Sequence, residues 1–475
     1  MKRAAAVLAV GLGLLAPPAH AAVTFEYLFD GVIVHDVSDN GQVAVGLDFS
    51  TASAFRWTQA TGVVNLGRPM IYGKAGIVGV SADGSRVAFG IGSIDGTYTT
   101  QGRWSQATGW QELFPPLIPS GGIIDGSYGS VYGISGDGET VVGLYWREGH
   151  GNRAHASGWK QATGPWDLGG MLTGQSGRAN AVNYNGSVIG GWVETPQGPW
   201  RPAVWANGSL ELLTDWQMGG IAGSGEVKAV SPDGNIAVGY CVNSDAPSRQ
   251  RAAAMWKRVN GVWGPTQFLG WVDASEPEYG INIANCVSAD GRIAAGYAAT
   301  DGSPFTATAF IWTPETGVKD VHEWLATNGV FLDPNFAIQG LQAMTPDGTQ
   351  IFGHGKMLTA PFTVRSFRIT VPATLDAPAP VAVSRLELSV PRPNPSRDLT
   401  RLEFSLAAES DVDLSVYDAS GRLVQTLLSG SQPAGRRSVT WDGRESGGRA
   451  APAGLYFARV VTPHGSASQR IVRVN

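Results

Sequence analysis

Short apolar runs alternate with tight polar turns along most of this chain, and the alternation is periodic. Its clearest copy is Val230-Ser231-Pro232-Asp233-Gly234-Asn235-Ile236-Ala237-Val238-Gly239-Tyr240. Pro232 pre-sets φ, Ser231 and Asp233 can bond back to the local backbone, and Gly234 accepts a positive φ. The pattern predicts a type I turn closed by a left-handed glycine, which joins two antiparallel strands as a bulged hairpin. The turn recurs at Ser38–Gly41, Ser81–Gly84, Ser135–Gly138, Asn183–Gly186, Ser288–Gly291 and Thr345–Gly348, seven copies in all.

Each copy continues with an apolar run ending in glycine, such as Val43-Ala44-Val45-Gly46 or Val141-Val142-Gly143. A variable stretch follows, then an apolar strand ending in tryptophan: Trp57, Trp104, Trp159, Trp205, Trp256 and Trp312. A second turn of the form Gln59-Ala60-Thr61-Gly62 and a short strand such as Val64-Asn65-Leu66-Gly67 close the unit. Four short antiparallel strands repeating about every 43 to 57 residues are propeller blades, so the pattern predicts an all-β, seven-bladed β-propeller over residues 22–371. Helical periodicity shows only at Val321 to Ala326. The seventh unit stops at Val371-Pro372 without a fourth strand, while an orphan strand, residues 23–29, precedes the first unit. The expectation is that this strand seals the exposed edge of blade seven.

Residues 1–21 have a different character. Lys2 and Arg3 precede an apolar stretch, and Ala19-His20-Ala21 forms an A-x-A cleavage site, which together predict a signal peptide and a secreted or cell-surface, extracytoplasmic address. No later run is long and apolar enough to span a bilayer. The net charge of −5 gives no global basic field for nucleic acid. Cys241 and Cys286 are the only cysteines; a disulfide between them and two buried thiols are equally weighted alternatives.

A Pro/Ala linker, residues 372–383, leads to a segment of new composition, 384–475, in which arginine replaces lysine. Its strands alternate, as in Leu402-Glu403-Phe404-Ser405-Leu406, and their number suggests a small Ig-like β-sandwich.

Two resemblances follow from these motifs. The Asn/Asp-Gly turn, the Val-Val-Gly run, the Ala-Phe-x-Trp strand and the closing Leu-Gly resemble the extracellular HAF-type repeats of bacterial secreted proteins. The Ser-Pro-Asp-Gly form is also similar to propeller repeats of the TolB kind. In the C-terminal segment, Pro393-Asn394-Pro395, Tyr417-Asp418 with Gly421-Arg422, Trp441-Asp442-Gly443, Gly454-Leu455-Tyr456-Phe457 and the terminal Ile471-Val472-Arg473 resemble the FlgD-type Ig-like domain. They also resemble the related type A sorting domain of type IX secretion. That resemblance implies export through a secretion machinery and display at the cell surface.

Chemistry is sparse. The histidines and the two cysteines have no zinc-type spacing, no nucleophile elbow appears, and the turn carboxylates are explained by turn geometry, so neither a metal, a cofactor nor a catalytic residue is expected. Less easily explained are the aromatic and histidine side chains after the Val-Val-Gly run: Trp192, Tyr240, Tyr297 and His354, with Trp146 nearby in blade three. They stand where the second strand enters its long connection. Burial between blades accounts for them as packing groups; the alternative is that they are binding residues, suited to stacking on a glycan or an aromatic-rich peptide. The reading is a non-enzymatic binding or adhesion protein with an extracellular ligand. The alternatives are a glycan-active propeller enzyme and a structural envelope component.

Overall fold

A computed structural model describes residues 22–71, 76–113, 129–146, 153–171, 175–196, 200–213, 225–242, 251–272, 281–299, 307–372, 386–388, 391, 394–397, 399–406, 410–432, 435–463 and 465–474. The chain divides into two compact units, residues 1–373 and 374–475. Apart from one short α-helix, Val321–Thr327, the regular structure among the described residues is β.

The first unit is built from antiparallel sheets that follow chain order. A representative sheet runs Gly177–Val182, Val188–Glu194, Trp200–Ala206, Ser209–Leu212. Five sheets have four strands, and a sixth has nine. The nine-stranded one holds two runs of the same kind, starting at Glu226–Val230 and Ile281–Val287, linked by one parallel pair, Arg251 with Ile281. The second strands are buried on both faces, as in Val43–Asp48, because each sheet is covered on either side by its neighbours. This is why they read as continuous apolar runs rather than alternating ones.

The tryptophans that end the third strands fill the spaces between sheets. Trp205 clusters with Val142 and Ala156 of the preceding sheet, and Trp159 with Ala88 and Leu113. Trp57 clusters with Ala343 and Phe352, which belong to the last sheet, so packing passes from the last sheet back to the first. The last sheet is completed by the start of the chain: Thr24–Asp30 pairs antiparallel with Val364–Thr370, Phe25 opposite Ile369 and Tyr27 opposite Phe367.

One turn design serves every sheet. In its clearest copy the Ser231 hydroxyl donates to Asp233 Oδ1 at 2.5 Å and accepts the Ile236 N–H at 2.9 Å. Asp233 Oδ1 also accepts the Asn235 N–H at 2.9 Å, while Gly234 sits at φ +75° and donates to the Ser231 carbonyl. The glycine is required twice, by its positive φ and by contact, since a Cβ there would lie 2.8 Å from Val188 of the sheet before. The same relation joins Gly84 to Val43 and Gly291 to Ile236, and Gly41 to Gln350 closes the circuit.

The second unit has a three-stranded sheet, Glu387–Leu388, Thr400–Leu406 and Gly435–Trp441, and a four-stranded sheet ordered Leu423–Gln432, Ser410–Asp418, Gly454–Thr462, Gly465–Arg473. Phe404, Leu414, Val416, Trp441 and Val460 form its core. Several motif residues carry structural duties here. Asn394 brackets the last strand, donating to the Arg470 carbonyl at 2.9 Å and accepting the Val472 N–H at 2.7 Å. The Tyr456 hydroxyl donates to the Pro452 carbonyl at 2.7 Å, and the Trp441 indole to the Arg444 carbonyl at 2.9 Å. Asp418 caps its own hairpin; hydrogen bonds from Ser420 and Arg422 hold its carboxyl down at about 2.

Candidate functional site: the central channel and its aromatic mouth

The site begins with a defect in strand pairing. In Glu226–Val230, Val227 lies opposite Gly239 and Ala229 opposite Val238, so Lys228 is an extra residue with no partner in the ladder. This is a β-bulge, which bends the strand and re-aims one side chain. It is possible because position 239 is glycine: a Cβ there would sit 2.0 Å from the Glu226 carbonyl oxygen. The recurring glycine of the Val-Val-Gly run is thereby explained.

The same bulge frees His35 opposite Gly46, Tyr132 opposite Gly143, and Asn180 opposite Gly191. It frees Asn285 opposite Gly296 and Gln342 opposite Gly353. All six extra residues line one central cavity of about 210 Å³, joined by Val80 of the strand Gly79–Val80 and by Val78 just before it. Every sheet of the first unit contributes its innermost strand to this channel, in the last sheet Phe336–Met344 rather than Thr24–Asp30.

The channel is polar and tightly bonded. His35 Nδ1 accepts the Val78 N–H at 3.1 Å, which leaves its proton on Nε2. Burial, reinforced by nearby His354, pulls the His35 imidazole down to about 4. Asp36 accepts N–H groups from Val80 and Val37, yet burial outweighs them and lifts its carboxyl to about 7. Asn285 donates to the Leu341 carbonyl at 3.0 Å and to Gln342 at 3.2 Å. Burial, with Asp36 adding to it, pushes the Cys286 thiol well above its usual range.

The chemistry concentrates away from the Asp-Gly turns, at the channel end where first strands begin and second strands finish. There Trp192 is paired with Arg178, and Tyr240 with Glu226. Glu226 is bonded to Arg178, accepts from Asn180 at 2.9 Å, and has the Lys228 ammonium at 3.8 Å. Burial alone would raise the Glu226 carboxyl; Lys228 and Arg178 reverse this and keep it below its ordinary value. The Arg178 guanidinium lies 4.5 Å from the centre of the Tyr132 ring and 5.8 Å from that of Trp192. Trp192 and Trp200 form a corner, 5.5 Å between centroids and inclined by 43°. Arg251 stands 5.7 Å from the Tyr240 ring. Burial drives the Tyr240 and Tyr297 hydroxyls up, and both feel Glu226 and Arg251.

Of the residues singled out from the sequence, Trp192, Tyr240 and Tyr297 therefore share this neighbourhood. His354 is next to it, with Gly340 between its ring and Tyr297; burial lowers its imidazole to about 4. Trp146 is one sheet away, half-buried at the end of Thr140–Trp146 and paired with Ala154. Cys241 and Cys286 are not bridged: both are buried thiols, held in different apolar clusters. The connections between 147 and 152, 214 and 224, and 243 and 250, and most of the stretch from Pro115 to Ser130, lie outside the described residues. Among the described residues no group of three or more His, Cys, Asp or Glu side chains could hold a metal ion. No helix there is long and apolar enough to cross a membrane.

Tyr132, Asn180, Lys228 and their charged neighbours Arg178 and Glu226 were not apparent from periodicity. A signal exists nonetheless: His35, Val78, Tyr132, Asn180, Lys228, Asn285 and Gln342 each stand three residues before the first residue of a turn. A polar residue at that place in an apolar strand marks the bulge.

The sheet order and the shared channel make the first unit a β-propeller. Residues 396–466 match the family described as FlgD Ig-like domain. No curated protein matches the chain. Among solved structures it is similar to TolB from Acinetobacter baumannii, at 10% identity, covering 75% of this chain and 65% of that one, with a TM-score of 0.33. It is similar to the β-propeller domain of the Trilobed protease from Pyrococcus furiosus, which has an open velcro topology, at 11% identity over 72% of this chain and 94% of that one, TM-score 0.43. A third likeness is to the β-propeller domain of Cps50 (Swd1) from Myceliophteria thermophila, at 10% identity over 72% and 99%, TM-score 0.40. The chain thus spans just under two thirds of TolB's length, and these are likenesses of fold. It is an all-β protein, a propeller followed by an Ig-like domain.

Proposed function

We propose that the chain is an exported binding protein, in which the propeller holds a ligand at the aromatic mouth of its channel and the C-terminal unit serves export or anchoring. Counting the nine-stranded sheet as two blades gives a seven-bladed ring in this reading, with Thr24–Asp30 as the outer strand of the seventh. The observation that carries the proposal is the grouping of Trp192, Tyr240, Arg178 and Glu226 around one end of the channel. Turn geometry uses none of these residues, and hairpin closure accounts for none of them. Of the two rings Trp192 is half-buried and open to a ligand, while Tyr240 is buried behind it and lends the site its wall and charge partners.

The likeness of the repeat to HAF-type extracellular repeats and the leader-like residues 1–21 support an extracytoplasmic address. The FlgD Ig-like match, with motifs shared by type IX sorting domains, supports a role of the second unit in export or display. Catalysis is the weaker reading. The carboxylate of the mouth, Glu226, is paired with cations and held ionised, so it lacks the raised value a general acid requires. A glycan array and a hydrolase assay on the full chain test the proposal together. Binding without turnover, lost in Trp192→Ala and Tyr240→Phe/Arg178→Gln variants, is expected; turnover of a bound glycan would replace it with an enzymatic function.

A further inference from the structure

The charge at this mouth is opposite to that of the whole chain, and the imbalance says what kind of ligand fits. Among the described residues three cations, Arg178, Lys228 and Arg251, surround one carboxylate, Glu226. Arg178 is spent on Glu226, to which it is directly bonded. Lys228 is 3.8 Å from the same carboxylate, beyond a good hydrogen bond, and its side chain is 29% exposed in the channel. Arg251 faces the Tyr240 ring, and among the described residues no carboxylate pairs with it. Lys228 and Arg178 thus share the single charge of Glu226, and with Arg251 the neighbourhood keeps a positive excess in a chain whose net charge is −5. A positive excess at a partly buried surface favours an anionic ligand.

The aromatic walls narrow the class further. Trp192 offers a broad half-buried indole, a flat apolar surface suited to the C–H face of a pyranose ring. A carboxylate carried on such a ring would supply the negative charge that Arg251, beside Tyr240, and Lys228, beside Glu226, call for in the same neighbourhood. An isolated small anion would use the cations and leave the aromatic wall idle; a neutral sugar would do the reverse.

We propose that the channel mouth binds a carboxylated saccharide, a hexuronate-containing glycan, with Arg251 and Lys228 meeting the carboxylate and Trp192 stacking on the ring. The proposal rests on the reading of this end of the channel as the ligand site. Its test is calorimetric titration of the full chain with hexuronate oligomers of the galacto, gluco and manno series. The same oligomers after reduction of their carboxyls to alcohols, and a poly-aspartate peptide, serve as comparisons. Expected are binding of at least one uronate series, at least tenfold weaker binding of its reduced form, and weakening as salt rises from 0.05 to about 0.5 M. Arg251→Gln and Lys228→Gln should each weaken uronate binding about tenfold while the chain still melts cooperatively, and Trp192→Ala should abolish it.

Equal binding of the reduced oligomer, lost in Trp192→Ala, would overturn the choice of ligand and keep the site. Uronate binding that none of the three substitutions alters would overturn the site itself. Binding of poly-aspartate with no response to any uronate, or no binding of any probe, would overturn the proposal.

Discussion

The ring of Phe25 is stacked on that of Phe367, with 4.8 Å between centroids and planes inclined by 27°. The two come from the first and the last strands of the propeller, and Phe336 meets both edge-on. Phe25, Phe336, Phe367 and Ile369 share one apolar cluster. Flanking pairs, Glu26 with Arg368 at 2.6 Å and Asp30 with Arg365 at 2.8 Å, lie on the surface and add little. Closure is therefore held by main-chain pairing and this aromatic contact. Phe25→Ala should cost about 2 kcal/mol, less than a fully buried phenylalanine because Phe25 is half-exposed. Deleting residues 23–29 should expose the edge of Val364–Thr370 and drive self-association. Urea unfolding and size-exclusion chromatography check both; a monomeric deletion variant of unchanged midpoint would show that the strand is dispensable.

The bulges make a second, sharper prediction. Gly239→Ala places a methyl 2.0 Å from the Glu226 carbonyl, a contact no rotamer can relieve because both partners are backbone. Gly177→Ala, in the preceding strand pair, meets its nearest atom at 3.3 Å. The first should destabilise by more than 3 kcal/mol or prevent folding, and the second by about 1 kcal/mol or less. Thermal melts of the two variants decide whether the Val-Val-Gly glycine serves the bulge; equal effects would mean it does not.

The contrast between turns and bulges also shows what the chain makes legible. A turn is local: Ser231, Pro232, Asp233 and Gly234 satisfy one another, so their chemistry can be read without a partner. Strand and sheet order followed from repeating that local unit. Lys228 is different, because its orientation depends on where Gly239 stands in another strand. Arg178 and Glu226 belong to separate sheets and meet only once the ring is assembled. Tyr240 was visible as an unexplained aromatic, while the charges that give its surroundings a sign were not. The two cysteines were undecidable for the same reason, since adjacency of repeats says nothing about which core each thiol enters.

Buried titratable groups around the channel set the response to acid. His35 and His354 take up a proton near pH 6.5 when unfolded and near 4 when folded. Between those values the unfolded chain binds more protons, so each histidine lowers stability as pH falls, by about 3 kcal/mol over the full window. Asp36 works oppositely: it keeps its proton up to about 7 when folded against 3.8 unfolded, and so lowers stability as pH rises from 4 to 7. Two histidines outweigh one aspartate, and these three groups together contribute a slope of about one proton from pH 4 to 6.5, or roughly 1.4 kcal/mol per pH unit. His354→Gln should leave one histidine against Asp36 and nearly flatten that limb, whereas Asp36→Asn should about double its slope. Urea midpoints at pH 4.5, 5.5 and 6.5 measure this directly. An unaltered slope in both variants would mean that these groups titrate normally in the folded chain.

The division into two units carries the last prediction. The core of Phe404, Leu414, Trp441 and Val460 contains residues of the second unit alone, and the clusters of the first unit contain none from it. Each has its own apolar interior, the requirement for independent folding. Truncation after Val371 removes no side chain from the propeller clusters and keeps the pairing of Thr24–Asp30 with Val364–Thr370. The truncated chain should melt within a few degrees of the propeller transition of the full protein. If the second unit directs export, the same truncation should leave a folded propeller inside the envelope of its native host. A fusion of residues 372–475 to an unrelated exported protein should then reach the surface. Fractionation and protease shaving of whole cells read out both. Surface display of the truncated chain, with no display of the fusion, would make the second unit a spacer rather than a signal.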